Sequence, residues 1–177
     1  MRIAVEGIPA AGREIPLSLR QSWAVDAATT ALDVRPDRLD GVITLQRATG
    51  KGLVRVGVRA TATAESVCDR CGEACTLTAE VDTVLLYAPS ESEGRAFEGE
   101  IELDADDLDV GWYTDAQIAL DEILQEALAL ALPTRVVCAD VPACDQRTEA
   151  LLTPPSPEHP FSALVGLFPG RGDKAES

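Results

Sequence analysis

Apolar and polar side chains alternate along most of the first half of the chain. Arg2 to Val5 and Glu14 to Leu19 follow this two-residue period and predict short strands, with Pro9-Ala10-Ala11-Gly12 as a turn between them. Gln21 to Leu32 breaks the period: Trp23, Ala27 and Ala31 recur at four-residue spacing, predicting a helix that ends at Arg35-Pro36-Asp37. A hairpin follows. Leu39 to Ala48 is its first strand, Thr49-Gly50-Lys51-Gly52 its turn, and Leu53 to Val67 its long second strand. In that strand Val54, Val56, Val58 and Ala60 share one face, while Arg55, Gly57, Arg59 and Thr61 share the other. The alternation is regular enough to hold the register. Cys68 to Cys75 turns the chain, and Thr76 to Ala88 returns as a third strand with Leu77, Ala79 and Val81 on one face.

Pro89 to Gly99 reads as a loop, Glu100 to Leu103 as a short strand, and Asp104 to Asp109 as an acidic bend before Val110 to Tyr113 pairs again. Leu120 to Ala131 predicts a helix whose Leu120, Ile123, Leu124, Ala127, Leu128 and Ala131 fall on one face. Asp121 and Glu122 stand in its first turn, where the helix dipole favours carboxylates, and Pro133 marks its stop. Beyond Cys144 the pattern is lost. Thr153-Pro154-Pro155-Ser156-Pro157 reads as a stiff linker, Phe161 to Phe168 as a short apolar patch, and Gly170 to Ser177 as a disordered tail. The expected architecture is α+β. A curved, mainly antiparallel sheet with two helices fills a domain over residues 1–145; linker, short apolar helix and tail occupy residues 146–177.

Composition sharpens this picture. With 46% hydrophobic residues but only 3 Phe, 2 Tyr and 2 Trp, the core must be aliphatic. No stretch reaches the ~18 uninterrupted apolar residues of a membrane span, and the start of the chain shows no signal-peptide run. The expectation is a soluble, cytoplasmic protein with no membrane partner. The net charge of -15 is unevenly spread: residues 80–134 carry 15 acidic side chains and one basic one, Arg95. Such a segment repels nucleic-acid phosphates and attracts a basic partner. For any single carboxylate, an ordinary solvated surface is the better reading. Arg47, Lys51, Arg55 and Arg59 gather around the hairpin instead, making them candidate contacts to RNA phosphates. An ordinary solvated sheet face would carry the same residues.

The sharpest chemical signal is the cysteines. Cys68-Asp69-Arg70-Cys71-Gly72 has the shape of a zinc knuckle: two thiols one tight turn apart, with a glycine that lets the backbone fold back. Cys138 and Cys144 form a second pair, after 66 intervening residues, and would close a tetrahedral site of four thiolates. Structural zinc is the cofactor this pattern implies, joining the hairpin corner to the exit of the second helix. Reduced buried thiols, a disulfide and a thiol-redox pair are the competing readings. Cys75 is either a spare thiol or a substitute for one of the four. Catalytic patterns are missing. His159 is the single histidine, beside a proline in the tail, and there is no phosphate loop, nucleophile elbow or HExxH. Asp104, Asp106 and Asp107 lack the loop that calcium requires. Neither an enzymatic activity nor a small-molecule substrate is expected.

The order of these motifs resembles the YceD family, the large ribosomal RNA subunit accumulation proteins. The arginine before the second cysteine in Cys68-Asp69-Arg70-Cys71 is similar to that family's Cys-x-Arg-Cys element. The run Glu126-x-x-x-Leu130-x-Leu132-Pro133-x-x-x-x-Cys138 resembles its helix and exit, and Pro160-Phe161-Ser162-Ala163-Leu164 its short C-terminal helix. One departure stands out: many members continue with Gly-Leu-Cys-x-x-Cys-Gly, whereas Cys144 is followed here by Asp145-Gln146-Arg147. The resemblance implies a non-enzymatic role in large-subunit biogenesis, with large-subunit ribosomal RNA or a basic ribosomal protein as partner. The alternative is a zinc-binding or thiol-redox regulator using the Cys68/Cys71 pair.

Overall fold

The computed structural model describes residues 1–48, 52–90, 110–152 and 164. The hairpin-turn residues 49–51, the expected strand at 100–103, the acidic bend, the linker, the tail, and the 161–168 patch apart from Leu164 lie outside the described residues. The chain divides into two units, Met1–Cys138 and Ala139–Ser177.

The first unit runs β1 (Arg2–Ala4), β2 (Arg13–Ser18), α1 (Ser22–Leu32), β3 (Arg38–Arg47), β4 (Val54–Val67), β5 (Ala74–Pro89), β6 (Val110–Tyr113), β7 (Gln117–Ala119) and α2 (Leu120–Leu130). The α+β reading holds, with a mainly antiparallel main sheet. Its order is β2-β3-β4-β5-β6; it is open and not strongly curled, against the expected curvature, with β2 and β6 as its edges among the described residues. The β3–β4 register sets Ile43 opposite Val58, and β4–β5 sets Val58 opposite Thr83. Alternation therefore sends Ile43, Leu45, Val54, Val56, Val58 and Ala60 to one buried face.

Both helices of this unit belong to the same core. Ala24, Ala27 and Ala28 of α1 are small, which lets that helix lie close; α2 contributes Leu120, Ile123, Leu124, Ala127 and Leu128. Each large aliphatic side chain so buried stabilises by about 1.5–3 kcal/mol relative to exposure. Gly41 marks the tightest approach of β3 to β4: a Cβ there would stand 2.2 Å from the Arg59 carbonyl oxygen.

The structure adds two pairings that the sequence did not specify and corrects the number of helices. The first two strands do not pair with each other. Although Gly12 N–H closes the expected turn on the Pro9 carbonyl at 2.9 Å, a 3-10 turn at Val5–Gly7 redirects the chain. β1 instead pairs antiparallel with β7 in a separate two-stranded sheet, which sets buried Ile3 opposite buried Ile118. Second, Val110–Tyr113 does pair again, but parallel to β5. Third, three helices rather than two are present among the described residues, because the second unit holds α3 (Val141–Leu152). Its capping signal was readable: Asp140 Oδ1 accepts the Ala143 N–H at 3.0 Å, and Pro142 stands in the first turn, where no intrahelical N–H partner is lost. Cys144 is its buried residue, so there is no apolar face to reveal it by periodicity.

Candidate metal centre

The β4–β5 corner is built around a glycine. Gly72 adopts φ +76 with nothing near a hypothetical Cβ, so glycine is needed there for conformation rather than for space. The Gly72 N–H donates to the Cys68 carbonyl at 2.9 Å, and the Cys68 N–H donates to the Glu73 carbonyl at 2.8 Å. This turn brings Cys68 and Cys71 to one side. Asp69 then ties the corner to the segment after α2 in both directions. Its N–H donates to the Val136 carbonyl at 2.8 Å, and the Val136 N–H donates to its Oδ2 at 2.7 Å. That clamp sets Cys138 against the corner, with 3.5 Å between the Cys71 and Cys138 sulfurs.

The sulfurs of Cys68, Cys71, Cys138 and Cys144 all lie within 4.8 Å of one another, and all four residues are buried. Four sulfurs on a tetrahedral ion at about 2.3 Å would stand roughly 3.8 Å apart, so the cluster matches such an ion with small adjustments. The donor chemistry fits as well, since thiolates select soft or borderline metals. The Cys68 thiol is drawn down to about 6: the Cys71 N–H pointing at its sulfur is the largest cause, opposed by burial and reinforced by the Arg70 and Cys138 backbones. A thiol so placed is ready to act as a thiolate ligand. Cys75, half-buried at the start of β5, is not among the four. Burial pushes its thiol up, and the neighbouring Cys68, Asp69 and Cys71 add to the shift.

The basic hairpin residues are less of a unit. Arg55 and Arg59 do point from the exposed face of β4, as the alternation predicts. Arg59, however, pairs with Asp82 across the strand at 3.3 Å. Arg47 donates to the Val5 and Glu6 carbonyls at 3.4 and 2.6 Å, bracing the turn after β1. Lys51 lies outside the described residues. The exposed face that carries Arg55 and Arg59 also carries Glu14, Asp40, Glu80 and Asp82, so its field is mixed. No described helix is long and apolar enough to cross a membrane.

The chain belongs to the family described as "Large ribosomal RNA subunit accumulation protein YceD", whose sequence model matches residues 56–168. That span takes in most of β4, the cysteine corner, β5, α2 and both later cysteines. No curated protein and no solved structure shows a significant match to the chain.

Proposed function

We propose that this protein supports the accumulation of large-subunit ribosomal RNA in the cytoplasm by binding a component of the subunit, without catalysing a reaction. The family match over residues 56–168 carries this reading. Cys68, Cys71, Cys138 and Cys144 would hold a structural zinc ion. When bound, the ion supplies a cross-link that fixes the β4–β5 corner to the chain after α2 and adds to folding free energy. Four sulfur ligands leave no position for a reactive water, which favours a structural over a hydrolytic role.

Of the two partner classes, a basic ribosomal protein has more support than ribosomal RNA. Net charge is -15, and two of the three described hairpin arginines engage groups within the protein. Arg55, and with it Lys51, stays the candidate contact to RNA. Sedimentation of a native extract through a low-salt gradient tests the reading. Comigration with large-subunit precursors, lost as salt rises, is the expected result. A protein found wholly in the light fractions at low salt would overturn it.

A second reading is favoured by the geometry of the corner, where the sulfurs of Cys68 and Cys71 lie within 4.8 Å of each other and backbone N–H groups draw the Cys68 thiol down to about 6. A thiol of that kind suits a redox regulator built on the Cys68/Cys71 pair. Rapid disulfide formation in the isolated protein would support this reading; tightly held stoichiometric zinc would exclude it.

A further inference from the structure

The Cys68/Cys71 half of the metal centre is framed by its own residues. The Gly72 N–H closes the turn on the Cys68 carbonyl at 2.9 Å, and the Cys68 N–H reaches the Glu73 carbonyl at 2.8 Å. Cys138 belongs to no helix or strand, yet its sulfur stands 3.5 Å from that of Cys71. Asp69 supplies the missing frame. Its N–H donates to the Val136 carbonyl at 2.8 Å, a bond that any residue except proline could make. The return bond is different. In a regular antiparallel pair a backbone carbonyl would accept the Val136 N–H; here Asp69 Oδ2 accepts it, at 2.7 Å. That second bond needs a short side chain carrying an acceptor, so it depends on which residue stands at 69.

Position, rather than strength, is what this bond contributes. Asp69 is exposed, and a hydrogen bond in contact with water adds only modestly to the stability of a whole fold. However, it joins a residue lying between two ligands to a residue two places before a third. Val136 is itself packed against the core, so the clamp holds the chain to a fixed support. A thiol on a freely moving segment would have to be ordered by the metal on binding, and that ordering is subtracted from the affinity. We propose that Asp69 is a positioning residue of the metal centre: its carboxylate holds Val136, and through Val136 it keeps the Cys138 sulfur beside those of Cys68 and Cys71, so that metal affinity depends on a side chain that is not a ligand. This rests on the reading above that the four cysteines hold a metal ion, and makes it specific.

The test compares full-length wild type, Asp69→Asn and Asp69→Ala, each stripped of metal and titrated with cobalt(II), then with zinc(II) against a competing chelator. Asparagine keeps an acceptor at the same length, and alanine removes it. Asp69→Ala is expected to bind both ions about tenfold or more weakly, as when a supporting contact of a metal site is lost, and Asp69→Asn within about threefold of wild type. The visible spectrum of the cobalt(II) forms should be the same in all three, because the four sulfurs remain the ligands. Amide exchange of the metal-free proteins is the second readout. The Val136 amide should exchange slowly in wild type and Asp69→Asn but fast in Asp69→Ala, with the amides of β3 and β4 unchanged. Asp69→Asn as weak as Asp69→Ala would assign the effect to charge and overturn the hydrogen-bonded frame. A cobalt(II) spectrum that changes at Asp69→Asn would make Asp69 a ligand, and loss of protection throughout β3 and β4 in Asp69→Ala would make it a general structural residue; either overturns the proposal. The two claims fail separately. Wild type that binds neither ion removes the metal reading and this inference with it. Wild type that binds tightly, with Asp69→Ala its equal, removes the inference alone.

Discussion

The two ends of β5 serve different purposes. At its start the strand leaves a corner where four sulfurs are buried together and backbone N–H groups already point at one of them. Toward its end it faces an open groove lined by Leu85, Leu130 and the carboxylates of Glu80, Asp82 and Glu126, with Val84 exposed. A closed site can bind an ion only by becoming part of the fold, so its free energy is folding free energy. An open groove adds little to the isolated fold and is available for association. The same strand thus separates what holds the protein together from what the protein can hold. The separation is open to measurement, because damage at the corner should appear in stability and damage at the groove in binding.

Removing metal from the corner is the largest expected effect. Chelation, or Cys138→Ser, should lower stability by about 3–5 kcal/mol, a fall in Tm of roughly 10 °C for a chain of this size. Calorimetry with and without a zinc chelator, together with metal analysis of the same sample, measures it. An unchanged Tm in a sample shown to lose its metal would remove the structural role. In the same assay Glu80→Lys/Glu126→Lys should stay within about 1 kcal/mol of wild type, since both side chains are exposed and make no ion pair among the described residues. A large loss there would erase the contrast between the two ends.

The next effect lies between the two regions. Gly41→Ala drives a Cβ into the β4 backbone, 2.2 Å from the Arg59 carbonyl oxygen and 2.7 Å from the Ala60 Cα. Neither atom is the movable end of a side chain, so β3 and β4 must separate, at a cost of about 1–3 kcal/mol. Urea unfolding checks this. The decrease should persist in chelated protein, because the strain is independent of the cysteine corner; a decrease present only with metal would mean that the hairpin and the corner are one cooperative device.

What could be read in advance divides along the same line. The hairpin faces and the α2 stripe were legible because each has one buried side, which writes a period of two or of 3.6 into the residues. The cysteines were legible because thiols near a turn glycine are rare and chemically specific. The groove was not legible. It lies between β5 and the last turns of α2, and no local pattern encodes which strand a helix will stand beside. The pairing of β1 with β7 was hidden for a related reason: Ile3 and Ile118 are distant in sequence, and their contact comes from the overall topology. The arginines were placed on the correct face, yet the partner of Arg59 is a cross-strand neighbour set by register.

The smallest effect concerns the tether that holds β1 beside α2. The Met1 ammonium donates to Asp121 Oδ2 at 2.5 Å, and the Met1 carbonyl accepts the Leu120 N–H at 2.9 Å. Burial alone would raise the Asp121 carboxyl. Hydrogen bonds from the Met1 ammonium and from the Asp121 and Glu122 backbones outweigh it and hold the group below its usual range. A depressed folded value means that the contribution is complete above the unfolded value near 3.8 and is lost as pH falls through the lower folded one. With 41% of the Asp121 side chain exposed, solvent screening limits that contribution to about 0.5–1 kcal/mol. Asp121→Asn should therefore cost that much at neutral pH, and the gap to wild type should close as pH falls below about 4. A gap that stays constant with pH would show that the pair does not stabilise the fold through charge.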